Sequence, residues 1–441
     1  MKFICKTAGL ACLFAVSSAG GVCTYAGEVL PLSLDAMFQM AETNNRSMAV
    51  MDMAVAEAAE AVKVAKSAML PDVNASLAFS YIGNANVFDR EWRNFEVAKL
   101  PHFGNNFALE ATQVIYAGGA ISAGIDISKM KHEMTRLQKD ELRENVRMML
   151  AGSYLQLYKL HNERQVYEKN IVQTQRLIDE ISAKQQQGVA LKNDVTRYEL
   201  QLKSYELAVT QIDNNIAILN HQLSIALGLP ADTQIAVDTT MTRSLPLISN
   251  ELSWQNEALL SAPALKQARL GVDISRKAER LAGAGYKPTV FAFAADKLDG
   301  PILTEVPTIN KNLNYWYAGV GVKYSLSSLF KTNRKVSQAR AATLIAQEQQ
   351  NQAQDDMCTE VKDAYVHFAE SFTVYDTQLK SLELAQQNYT VVNNRYLNDL
   401  ALITDMLDAS NQKLSAELQL VNAQINILFN YYKLKKTVGT L

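Results

Sequence analysis

The side chains of this 441-residue chain that could do chemistry are dispersed rather than gathered. Its five histidines, His102, His132, His161, His221 and His367, form no cluster with carboxylates or cysteines at metal-ligand spacing. No glycine-rich phosphate loop or Ser-His-Asp pattern stands out, and Cys358 has no partner for nucleophilic work. The acids of interest sit at helix starts instead. Asp194 follows Asn193 and Asp405 follows Thr404, with Asp408 about one turn further on. A carboxylate there stabilises its helix by ~0.3–1 kcal/mol simply by facing the N-terminal dipole. These patterns argue against an enzyme and imply no cofactor and no bound metal.

What positions those acids is a pair of very long helical hairpins. No proline occurs between Pro101 and Pro230, and after Gly124 the only glycines before Gly228 are Gly152 and Gly188. The return arm after Gly188 carries Val195, Tyr198, Leu202, Tyr205, Val209, Ile212, Ile216, Leu219 and Leu223. Steps of three and four alternate without a miss, the 3.5-residue repeat of a coiled-coil seam. The outgoing arm, Ile121 to Gln187, is about 100 Å long at ~1.5 Å per residue. A compact domain has no use for such a helix; a hollow assembly does.

The same object recurs at a shift of about 211 residues, which lays Tyr154 on Tyr365, Leu157 on Phe368 and Ile178 on Tyr389. A repeat this long predicts two equivalent positions around one axis. Before each hairpin the period changes to two. Val73, Ala75, Leu77, Phe79 and Tyr81 alternate with small or polar residues over a span that suits a tilted membrane strand. Further strands are expected at about 106–116, 289–296 and 316–324, with loops over 88–103 and 298–313.

The fold class is therefore mainly α with a small β part, a twofold repeat of long antiparallel hairpins plus four membrane strands. The expected division is a signal peptide at 1–26, a first repeat at 27–232 and a second at 251–438. Their strands lie at about 72–82 and 106–116, then 289–296 and 316–324, and their hairpins at about 119–228 and 330–438. Lys2 and Lys6, the apolar run Ala8 to Val16 and Thr24-Tyr25-Ala26 carry the signal reading. A formal charge of -2 leaves no basic stripe for nucleic acid. Four strands cannot close a barrel, and an open edge is not tolerated in lipid. Three chains would supply twelve, predicting a homotrimer in contact with membrane lipid.

The arrangement resembles the outer membrane efflux protein family, the TolC-like trimeric channel-tunnels, over essentially the whole chain after the signal. The residues that carry the resemblance begin with Leu32-Ser33-Leu34-Asp35-Ala36, Asn44-Asn45, the alanine run into Leu70-Pro71, and Ala117-Gly118-Gly119. Gly188-Val189-Ala190 with Asp194-Val195, and Tyr396 followed by Thr404-Asp405-Met406-Leu407-Asp408-Ala409, complete them. Arg46 stands where the family often has proline after the paired asparagines.

The resemblance implies a passive exit duct, a twelve-stranded barrel in the outer membrane above a helical tunnel crossing the periplasm. It implies docking to a periplasmic adaptor (membrane fusion) protein and an inner-membrane transporter of RND or ABC type, for export of small molecules or drugs foremost. Asp405 and Asp408 would form acidic rings narrowing the pore, and Asp194 and Tyr396 would link the closed tip. The arginine of that link is here Ala401, so one link would be missing. Gly188, Val189, Leu400 and Ala401 would meet the adaptor. The rival reading is a secreted coiled-coil scaffold or adhesion protein, which explains export and heptads but not the strands.

Overall fold

The computed structural model describes residues 29–238, 245–305, 308–398 and 400–441. The expected signal peptide lies outside them. The chain opens with β1 (Val29–Leu32), α1 (Leu34–Asn44) and α2 (Arg46–Ser67). Ser33 caps α1 by accepting from the Ala36 amide at 3.3 Å. Pro71 ends the run, and β2 (Asp72–Tyr81) begins beside it. A small hairpin, β3 (Ala85–Phe88) with β4 (Phe95–Ala98), leads into β5 (Phe103–Ala117). Then come the long arms α3 (Ala120–Gln186) and α4 (Lys192–Leu227). The second half repeats the order after β6 (Gln234–Val237). It runs α5 (Glu251–Ser261), α6 (Pro263–Gly283), β7 (Thr289–Gly300), β8 (Leu313–Lys323), α7 (Ser328–Leu397) and α8 (Ile403–Val438).

Three features depart from expectation. Residues 88–103 are not an open loop, because β3 and β4 pair within it. The strand expected to stop at 296 runs on to Gly300, and its partner begins at Leu313, so the loop between them is shorter than 298–313. β1 and β6 form a two-stranded parallel pair from Val29↔Gln234 to Leu32↔Val237, which strand periodicity does not reveal in segments of four residues.

The four longer strands form one antiparallel sheet in the order β2-β5-β7-β8. Each continues into a helix, so the helices line up beneath in the order α2-α3-α6-α7. α4 folds back on α3 and α8 on α7, and α3 also touches α8, joining the two hairpins. Among the described residues no helix is long and apolar enough to cross a membrane.

Halfway down, α1 and the β1–β6 pair pack on α3 around Met37, Leu150, Tyr154 and Leu227, all buried. The Tyr154 hydroxyl donates to the Leu32 carbonyl at 2.7 Å and accepts from the Asp238 amide at 2.6 Å. A second core sits at the corresponding level, where Trp254 and Ala258 of α5 meet Val361 and Phe368 of α7. Both hairpins end on a left-handed glycine, Gly228 and Gly439. Each abuts the junction of the adjoining short helices, at Asn44 in one half and at Ala262 and Pro263 in the other.

Candidate functional site

Strand register divides the sheet into two chemically different faces. Opposed residues of an antiparallel pair share a face, so Leu77 of β2, Phe107 and Leu109 of β5, Ala294 of β7, and Trp316 and Val320 of β8 lie together. Leu77 is 63% exposed and Trp316 76% exposed. A row of such side chains in water is unfavourable and needs lipid against it. Asp296 is an exception on this face, taking a hydrogen bond from the Asn314 amide at 2.9 Å.

The other face is polar. It carries Asn74, Ser76, Glu110, Thr112, Lys297, Asp299 and Tyr315. Lys297 Nζ lies 2.8 Å from Glu110 Oε1. Asp299 accepts from the Tyr315 hydroxyl at 3.2 Å and from the Asn106 amide. Phe291 and Phe293 cover the glycines opposite them, Gly321 and Gly319. A polar, hydrogen-bonded face of this kind suits a water-filled lumen.

At the far end of the molecule the two hairpin turns meet. Leu177, Ile181, Tyr198 and Leu202 of the first hairpin pack with Met406 of the second, and Tyr396, Ile403 and Leu407 border the cluster. The turns have matching caps. Asp194 accepts from the Leu191 amide at 3.2 Å, and Asp405 accepts from the Leu402 amide at 3.1 Å. Each carboxylate closes its own helix start, as the sequence reading of Asp194 and Asp405 anticipates for a capping acid. Asp408 lies beyond the cap and accepts from Gln412 Nε2 at 2.7 Å. Tyr396 is half-buried in the cluster, with Lys184 Nζ 5.6 Å from its ring centre. Val189, Leu191, Leu400 and Leu402 project at the extreme tip and are exposed.

Sequence reasoning missed the polar links just above this cluster. Lys413 Nζ lies 3.3 Å from Gln173 Oε1 and 4.7 Å from the centre of the Tyr389 ring. Tyr389 also takes a hydrogen bond from Gln173, and Asn170 donates to Glu417 at 3.1 Å. No sequence signal marks them, because Lys413 and Glu417 fall beside the apolar seam positions Leu414 and Leu418 rather than on them. Burial raises the pKa of Tyr198, Tyr205 and Tyr389.

The histidines stay apart, but His367 does lie between acids, 3.4 Å from Asp363 and 3.2 Å from Glu370 on the surface of α7. No group of three or more potential metal ligands stands among the described residues.

Residues 37–229 and 254–440 match the family model described as outer membrane efflux protein. The outer membrane protein TolC of Escherichia coli (strain K12) is 26% identical over 191 residues, which cover 40% of this chain and 38% of TolC. The chain thus spans well under half the length of that relative. Two solved structures share the fold. The outer membrane protein VceC from Vibrio cholerae superposes with a TM-score of 0.75 at 15% identity, over 92% of this chain and 96% of that one. The Campylobacter jejuni CmeC outer membrane channel gives 0.72 at 16%, over 92% and 85%.

Proposed function

The chain belongs to the outer membrane efflux protein family, and from that premise we propose that it is the outer membrane exit duct of a tripartite efflux or secretion system. The observation that carries this is the two-faced sheet, apolar on one side and polar on the other, running without a break into helices about 100 Å long. Both sheet edges, β2 and β8, lack a partner strand among the described residues. Pairing β2 of one copy with β8 of the next closes twelve strands from three copies and removes the edges that lipid forbids. The same closure gathers the helices into a tunnel crossing the periplasm.

In this reading the duct is passive. Transport is driven by an inner-membrane transporter, of RND or ABC type, reached through a periplasmic adaptor. The cargo is a small molecule or drug. The exposed apolar pairs at the two tips, around Gly188, Val189, Leu400 and Ala401, are the adaptor contacts. Asp405 and Asp408 form the pore constriction, and Asp194 and Tyr396 the closed-tip links. A secreted scaffold would leave the two-faced sheet without a role.

Mass measurement of the intact assembly in detergent tests the architecture, with three chains expected and a stable monomer fatal to it. Conductance in planar bilayers tests the duct.

A further inference from the structure

Immediately below the sheet, where β5 turns into α3 and α6 turns into β7, a notch of about 440 Å³ opens between α3 and α6. Lys277, Arg280 and Lys287 line it, with Ser122 and Asp126 opposite. Lys277 Nζ is 2.6 Å from the Asp126 carboxylate. That lysine is the main reason the Asp126 pKa is lowered, with weaker pulls from Lys129 and Arg280. Arg280 and Lys287 are exposed and, among the described residues, make no ion pair. The notch therefore presents two uncompensated cations, beside Leu281 and Tyr286, whose apolar surface is also exposed.

The notch opens on the outer flank of the helical wall. Asp126, Arg147 and Tyr154 are spaced by multiples of seven and so share one flank of α3. Further down, that flank carries α1 and β1, through Arg147 with Glu42 and Tyr154 with Leu32. A clear lumen requires those added layers to be outside. The last pair of the apolar strand face, Tyr116↔Val290, lies just above the notch. A group in the notch thus sits at the depth of the headgroups of the periplasmic leaflet.

We propose that this notch is a docking site for the phosphate of an anionic phospholipid of that leaflet. Arg280 and Lys287 receive the phosphate, Lys277 is held in place by Asp126, and Leu281 and Tyr286 lie against the glycerol and upper acyl chains. Charge complementarity and continuity with the lipid-facing sheet select this occupant over a protein partner. Juxtamembrane basic residues strengthen binding to anionic lipid by a similar increment each. The inference rests on the membrane-spanning reading of the sheet.

The test is carried out on the full-length assembly in nanodiscs of phosphatidylcholine doped with phosphatidylglycerol. Retained phosphatidylglycerol is counted by native mass spectrometry. Wild type should retain it in preference to phosphatidylcholine, R280Q/K287Q should weaken that retention on the order of tenfold, and R280K should preserve it with conductance unchanged. Equal retention by wild type and the double variant overturns the proposal. Complete displacement by inorganic phosphate also overturns it, in favour of a free-phosphate site. An assembly that does not insert into phosphatidylcholine alone would instead refute the membrane reading beneath it.

Discussion

The ammonium of Lys413 on α8 lies 4.7 Å from the ring centre of Tyr389 on α7, and the pair is gripped from the first hairpin by Gln173. Lys413 is therefore a three-way contact among α3, α7 and α8. Its side chain is only 15% exposed, so its interactions are less screened than those of a surface pair. Removing the charge with K413M should lower the melting temperature. A cycle with Y389L, which removes the ring, should return a coupling of ~1 kcal/mol. Additive effects in that cycle would show the contact to be incidental.

Asn44 and Asn45 explain a sequence motif in physical terms. Their side-chain amides donate to the carbonyls of Leu227 and Ala226, both at 3.1 Å, and so satisfy the last turn of α4. Asn45 Oδ1 also accepts from the Ser47 amide at 2.9 Å, capping α2. N45A loses both roles and should cost ~1–3 kcal/mol in thermal or denaturant unfolding. N45D keeps the cap but not the donor, and should fall between.

These residues also show where sequence reading succeeds and stops. The arms of both hairpins were legible because an uninterrupted 3.5-residue repeat from Val195 to Leu223 has no other structural meaning. β2 was legible because its two faces differ so sharply. The β1–β6 pair was not, since four residues cannot establish a period and the pairing crosses about 200 residues of chain. Asp194 and Asp405 were legible as helix-start acids, yet which way their carboxylates turn depends on the Leu191 and Leu402 amides. The Lys413 network was invisible because its members look like ordinary exposed helix residues until α3 and α8 are brought together.

Tyr198 is fully buried among the tip side chains, and its hydroxyl has no hydrogen-bond partner among the described residues. An orphaned buried hydroxyl costs ~1–3 kcal/mol. Y198F should therefore raise the melting temperature without disturbing the cluster. A loss of stability would show that the hydroxyl finds a partner in the proposed trimer.

Glu144 is buried on α3, and burial raises its carboxyl pKa, partly offset by the Leu441 amide at 2.9 Å and by Arg147. The folded chain thus holds this proton more tightly than the unfolded one. The resulting penalty is full above the raised folded value and fades as pH falls through it towards the ordinary 4.5. Glu163 behaves alike, while His161, its pKa lowered mainly by burial, loses stability as pH falls below 6.5. The difference between wild type and E144Q isolates the first effect. E144Q should be the more stable at neutral pH, and its advantage should shrink as pH approaches 4.5.

Asp405 and Asp408 are separable by what they already hold. Asp405 spends one carboxylate oxygen on the Leu402 amide at 3.1 Å, so D405A must lose a cap worth ~0.5–2 kcal/mol whatever happens in the pore. Among the described residues Asp408 bonds only the Gln412 side chain one turn on, so D408A should cost little stability. A role in the constriction predicts the opposite ranking for permeation. Three copies of Asp408 around the axis, unencumbered by backbone, would hold the cations, so D408A should shift the reversal potential in a salt gradient towards zero. D408N, which keeps the bond to Gln412 but not the charge, should do the same. If both variants leave the reversal potential where it was while D405A shifts it, the cap and the selectivity ring are one residue, and Asp408 is a bystander on the surface of α8.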